Sequence, residues 1–242
     1  ATTVLIQNLT YTCWAAKLCI DGRLPAWGWN RSSEDKMHPL LTADLIYAYR
    51  TDGVTLIRGM FADCVEPLRD GVAFNLQHPG PYAAENLTDI ESGRFFDDYC
   101  NWTRIPEFSD VIHRPHIAHI AAELMGSNIV QLFHEHVLVK EPGTSKPTPW
   151  HSDAPYYFTG GQQNISFWVP LDPVKENSLR VVAGSHKWQK PVLPIRWLSE
   201  QNFYPDSDLY QPVPDPDAEG MNIIEYNMPV SYTHLTLPTM YT

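Results

Sequence analysis

Hydrophobic positions change their spacing near residue 128, from a repeat of three to four residues to an alternation of two. Before that point, Thr42 and Asp44 stand ahead of Leu45, Ile46 and Tyr49, and Gly53 follows. This order predicts an N-capped helix closed by a glycine. Val54 to Arg58 is β-branched and short, the mark of a strand, and Ala62 to Asn75 carries Val65, Leu68 and Val72 at helical spacing. Residues 76–100 are rich in Gly, Pro and Asn and read as loop. Pro115 at a first-turn position, the stripe Ile117, Ile120, Ala121 and Leu124, and Gly126 just past its end predict a further amphipathic helix. From there strands are expected at 128–140, 164–171, 179–183 and 222–227. Helices first and strands later is the pattern of an α+β domain, mainly β, whose sheet can close into a sandwich or barrel.

Composition narrows the function classes. With 242 residues and 43% hydrophobic content, the chain can bury one sizeable core, and one domain is expected. A formal net charge of −11 without a Lys/Arg cluster lacks the electrostatic footprint for nucleic acid or an anionic membrane surface. Cys13, Cys19, Cys64 and Cys100 show neither a zinc-like spacing nor a disulfide framework. Apolar runs stay short of the roughly 18 residues of a membrane span. The expected location is the cytoplasm.

Both ends look foreign to the rest. Residues 1–36 keep neither period, and Met37 opens the part that reads well, so 1–36 is expected to be a non-native or irregular N-terminal extension. Residues 230–242 contain Val230-Ser231-Tyr232-Thr233-His234-Leu235-Thr236-Leu237-Pro238-Thr239, which looks like the translation of a sequencing-library adapter; the competing reading is an ordinary strand bearing a histidine. The working domain is then 37–229, with an artefactual tail at 230–242.

Chemistry concentrates after residue 129. Strict alternation would put Val130, Leu132, His134, His136, Leu138 and Lys140 on one face and Ile129, Phe133, Val137 and Val139 on the other. Two histidines and a lysine among apolar neighbours mean either a lined cavity or a tolerant edge. In Trp150-His151-Ser152-Asp153 the imidazole and carboxylate are two residues apart, so an extended backbone turns both to one side. That suits two neighbouring ligands of a metal, or an ordinary polar turn. Asn164 to Leu171 alternates apolar residues with Asn164, Ser166 and Trp168, as the wall of a site would.

Taken together, Lys140-Glu141-Pro142-Gly143, Trp150-His151-Ser152-Asp153, the Trp168 strand, Glu176-Asn177 and Gly184-Ser185-His186-Lys187 resemble the bacterial branch of the phytanoyl-CoA dioxygenase family across residues 37–229. The resemblance implies a double-stranded β-helix (jelly roll, cupin-like) core with flanking N-terminal helices, whose last core strands are expected to be missing here. It implies Fe(II) and the co-substrate 2-oxoglutarate, with O2 and a small organic molecule as the other reactants. Carried over residue by residue, His151 and Asp153 match the first two iron ligands, and Trp168 an indole lining the co-substrate pocket. His136 and Arg104 match co-substrate contacts. Ser152 stands where the family has Gln and would act through its backbone. The third ligand and an Arg for the far carboxylate are expected beyond residue 229; His234 is declined because it falls in the adapter-like stretch. His186 matches a structural corner, and His113, His116 and His119 are expected to be exposed or capping.

The implied reaction couples oxidative decarboxylation of 2-oxoglutarate to hydroxylation, and the presence of Asp153 favours hydroxylation over halogenation, since related halogenases lack this carboxylate. Three rivals stand beside it: a non-catalytic jelly-roll binding module, a zinc hydrolase using the same two residues, and an inactive fragment of such an oxygenase. The substrate is not legible, although Tyr156, Tyr157, Phe158 and the 76–100 loop suit its entrance.

Overall fold

The computed structural model describes residues 11–19, 28–30, 36–86, 93–141, 148–157, 163–174, 178–197, 199, 201–205, 208–228, 230, 233–236 and 239–241, with backbone alone at 11–19, 28–30 and 234. Pro142-Gly143, Phe158 and Glu176-Asn177 lie outside these.

The predicted helices form where their end signals stand. Helix α1 runs Ala43–Asp52: the Thr42 hydroxyl accepts from the Leu45 N–H, and Gly53 closes it at φ +82°. A short 3₁₀ turn, Ala62–Cys64, leads into α2, Val65–Gln77. Helix α3, Pro106–Ile112, is one that the hydrophobic pattern did not single out. Helix α4, Pro115–Met125, starts on its proline and ends at Gly126 with φ +64°.

The strands are β1 (Tyr11–Cys19), β2 (Gly28–Asn30), β3 (Val54–Ile57), β4 (Ala84–Glu85), β5 (Phe95–Tyr99), β6 (Ile129–Lys140), β7 (Asn164–Pro170), β8 (Arg180–Val182), β9 (Ile223–Glu225) and β10 (Thr233–Thr236). The large sheet has the order β3-β10-β7-β1-β6-β5-β4, with β2 also on β6, and the pairings are antiparallel. Backbone of the stretch expected to be extraneous at each end thus lies in this sheet, as β1 and β10. The second sheet pairs β8 with β9, and antiparallel bridges from Tyr241 to both Val181 and His151 extend it.

Three apolar clusters define the layers. The helices pack on one face of the large sheet through Phe61, Phe108, Ile120, Val137 and Phe167. Val54, Trp168, Val181 and Tyr241 fill the space between the two sheets. Val182, Val192 and Met240 lie with Trp188 on the outer side of the second sheet. Facing antiparallel sheets with helices against one of them match the expected jelly-roll core, of α+β class.

Two expectations need correcting. Residues 76–100 are not all loop, because 95–99 is β5. Its sequence, Phe-Phe-Asp-Asp-Tyr, hides the strand, since both adjacent acids are buried. Each has its own partners: Asn86 Nδ2 donates to Asp97 Oδ1 at 2.8 Å, and Asn75 Nδ2 donates to Asp98 Oδ2 at 2.7 Å.

The alternation in β6 also breaks. Lys17 opposes His134 while Leu18 opposes Leu132, leaving Phe133 as an extra residue. A bulge exchanges the faces of everything beyond it. Val130 and Leu132 therefore pack with Val137 and Val139 on the helix side, rather than sharing the face of His134 and His136.

Candidate active site

The segment at 149–157 lies against the second sheet through the His151–Tyr241 bridge: the His151 N–H donates to the Tyr241 carbonyl at 2.9 Å, and the Tyr241 N–H returns the bond at 2.7 Å. Extended backbone ends at Asp153, which is already helical at φ −70° and ψ −38° and leads into a 3₁₀ turn at Ala154–Tyr156. Even so, the two side chains converge, with His151 Nε2 3.6 Å from Asp153 Oδ1 and side-chain exposures of 5% and 16%. Because His151 Nδ1 sits 2.8 Å from the Pro149 carbonyl oxygen, which can only accept, Nδ1 carries the proton. In the neutral ring this leaves the Nε2 lone pair on the carboxylate side. The Tyr241 hydroxyl donates to Asp153 Oδ2, so Oδ1 is the oxygen turned to His151.

Aromatic rings surround this pair. The His151 ring has Tyr241 at 4.5 Å, Trp197 at 5.2 Å and Tyr156 at 6.1 Å between centroids. Tyr157 packs on Phe133 and His134 at 5.1 and 5.2 Å. Burial, reinforced by the Asp153 charge, pushes the Tyr157 hydroxyl well above the usual phenol range. Tyr99 is raised too, by burial first and then by Asp97, with Tyr157 and Asp153 adding to it. Both phenols therefore stay protonated at neutral pH.

The large sheet supplies the opposite wall. In register across it, Tyr99 opposes His136, His136 opposes Ala15, and Ala15 opposes Trp168. His136 and Trp168 are therefore on one row and one face, two strand spacings or roughly 10 Å apart. The indole packs in the same cluster as Tyr241, on the side to which Asp153 is tied. His136 lies with its ring 4.3 Å from Tyr99 and its Nε2 3.4 Å from Asp97 Oδ2. Burial opposes the charge of Asp97, but the neighbouring His136 and Tyr99 and the Asn86 hydrogen bond outweigh it and hold its carboxyl below the usual range.

Two of the residues named from the sequence stand elsewhere. Arg104 is not brought to the pair: its Nε donates to Asn101 Oδ1 at 2.6 Å and its Nη2 lies 3.7 Å from Asp98 Oδ2, in the buried network that Asn75 joins from α2. That network belongs to the helix side of β5, because Asp98 shares a face with Phe96 of the helix-packed core. Ser152 is buried and lines a cavity of about 550 Å³ bounded by α1, α4 and the 185–192 corner. His186 holds that corner to α1, its Nε2 3.3 Å from the Arg50 carbonyl oxygen. Of the remaining histidines, His113 is exposed on α3's end, while His116 and His119 are half-buried. Tyr241 and Asp97 were missed, because neither lies in a local pattern that points at the pair. Their roles come from strands far apart in the chain.

Among the described residues, no group of three or more His, Cys, Asp or Glu is arranged to hold a metal ion. The pair at 151 and 153 offers one nitrogen and one carboxylate oxygen. Two neighbouring ligands on a six-coordinate ion stand roughly 3 Å apart, and the observed 3.6 Å is close to that. Donor types, tautomer and burial fit a ferrous ion held by these two residues together with ligands of other origin. No helix among the described residues is long and apolar enough to cross a membrane.

Comparison with known proteins gives the same family from sequence and a consistent fold. The family model described as phytanoyl-CoA dioxygenase (PhyH) matches residues 49–227. Among solved structures, the non-heme alpha-ketoglutarate-dependent carbocyclase SnoK from nogalamycin biosynthesis is 19% identical. It covers 83% of this chain and 76% of its own, with a TM-score of 0.63. The epimerase SnoN, in complex with Fe3+, alpha-ketoglutarate and nogalamycin RO, is 20% identical with coverages of 82% and 75% and a TM-score of 0.59. EctD from S. alaskensis, with 2-oxoglutarate and 5-hydroxyectoine, is 16% identical with coverages of 90% and 78% and a TM-score of 0.56. None of the curated proteins matches.

Proposed function

The chain belongs to the phytanoyl-CoA dioxygenase family, and from that premise we propose that it is an Fe(II)- and 2-oxoglutarate-dependent oxygenase acting on a small organic molecule in the cytoplasm. His151 Nε2 and Asp153 Oδ1 would hold the iron. The observation that carries this reading is their convergence at 3.6 Å in a buried, aromatic-walled site. When bound, the iron with 2-oxoglutarate and O2 supplies oxidation of the substrate coupled to decarboxylation of the co-substrate to succinate; hydroxylation is the outcome we assign. SnoK and SnoN, named as carbocyclase and epimerase, mark how widely the outcome varies on this fold.

The protein's own part is to prepare the donors. The Pro149 carbonyl fixes the His151 tautomer, and the Tyr241 hydroxyl restrains the Asp153 carboxylate; such partners set ligand orientation and basicity. Tyr156, Tyr157 and Trp197 keep water from the pair. Trp168 and His136, on the facing sheet, would line the co-substrate side, with Asp97 orienting His136 through the contact to its Nε2.

The test is the Asp153→Ala variant. It is expected to abolish Fe(II)-dependent consumption of 2-oxoglutarate and, independently of activity, to weaken binding of Co(II) as an iron surrogate followed by calorimetry. Turnover and metal binding that survive the substitution would remove the iron assignment. Iron-independent hydrolysis would favour the zinc hydrolase reading.

A further inference from the structure

The cavity of about 550 Å³ at Ser152 has neither His151 nor Asp153 in its wall, and the proposed reaction leaves it unused. Its volume suits a small organic ligand. Its wall carries Arg50, Lys187 and Lys190 and includes no Asp or Glu, in a chain with 28 acidic and 17 basic residues. Four other cations meet carboxylates: Arg69 pairs with Glu66, Arg94 with Glu85, Arg114 with Asp63, and Arg180 with Asp217. By contrast, Arg50, Lys187 and Lys190 have no carboxylate partner among the described residues. Three solvent-exposed cations on the wall of one hollow, with no carboxylate among its lining residues, form a local positive field in a protein with a large acidic excess.

The hollow is also built rather than incidental. Lys187 Nζ donates to the Thr51 carbonyl oxygen at 2.8 Å, which fixes the 185–192 corner against the C-terminal end of α1. Tyr49, in the wall, is 1% exposed, and its hydroxyl has no hydrogen-bond partner. Trp188 adds an apolar surface.

We propose that this cavity binds a small organic anion, its phosphate or carboxylate group taken by Arg50, Lys187 and Lys190 and its body resting on Trp188. The site is separate from the metal pair and does not depend on iron.

Calorimetric titration of the full chain at low ionic strength with pyrophosphate, and separately with citrate, tests it. At least one of the two is expected to bind saturably at one site, and the tighter of them identifies the headgroup. Arg50→Gln and Lys190→Gln are the informative variants, because these side chains make no hydrogen bond or ion pair with described residues and their loss leaves the fold intact. Each should weaken binding by about tenfold, Arg50→Lys should retain most of it, and Lys36→Gln, outside the cavity wall, should change nothing. Absence of saturable binding of both anions, or equal affinity in wild type and Lys190→Gln, would overturn the proposal.

Discussion

Replacing Glu135 by Gln should reverse part of the protein's response to pH. Glu135 is fully buried on the helix side of β6. Its Oε1 accepts the Asn101 N–H, while Oε2 has no hydrogen-bond partner. Burial, only partly offset by backbone hydrogen bonds from Asn101 and Trp102, lifts its pKa from 4.5 to about 7. A raised acid binds its proton more tightly in the folded state, so its contribution to stability is complete below pH 4.5 and is lost as pH climbs through 7. A shift of that size corresponds to about 3 kcal/mol. The Gln variant keeps an acceptor for Asn101 and cannot ionise. Urea unfolding of both proteins from pH 4.5 to about pH 8 should therefore show Glu135→Gln gaining about 3 kcal/mol on wild type as pH rises. A difference that stays constant across that range, or moves the other way, would refute the buried-proton argument.

Three further outcomes are expected. Asp97→Asn should lower stability at neutral pH, because the carboxyl's depressed pKa stabilises the fold above 3.8; the difference from wild type should shrink as pH falls below that value. Its refolding curves at two pH values are the measurement. Gly53→Ala should cost at least about 2 kcal/mol in thermal unfolding, since the residue sits at φ +82° and a Cβ there would meet Thr239 Cγ2 and His186 Nδ1. Phe167→Ala should cost about 3–5 kcal/mol by emptying a fully buried position between β7 and the helices.

What the sequence carried plainly was whatever is decided within one or two turns of chain. Thr42, Gly53, Pro115 and Gly126 mark the ends of α1 and α4 through their own side chains or backbone freedom, and these helices fall within a residue of their expected limits. The His151–Asp153 pair was legible for the same reason, since a spacing of two is a local fact. Strand β5 was not, because the adjacent Asp97 and Asp98 are stabilised by Asn86 and Asn75, at distances along the chain that no window spans. Arg104 shows the converse. The family resemblance implies a co-substrate contact for it, yet the buried Asp98 behind it claims the guanidinium. The order of strands in the large sheet, and the meeting of Tyr241 with Asp153, rest on long-range pairing that hydrophobic periodicity does not encode.

Phe133 makes β6 a strand of two phases. Its first half sends even-numbered residues to the helices, and its second half sends odd-numbered ones. Removing that single residue would restore simple parity and roll one half of the strand by half a turn. Either the histidines would leave the interior or the valines would be carried out of the core. Lineages of this sequence should therefore tolerate substitution at 133 far better than deletion, and a library of single-codon deletions through 129–140 would register the difference as a sharp loss of soluble protein.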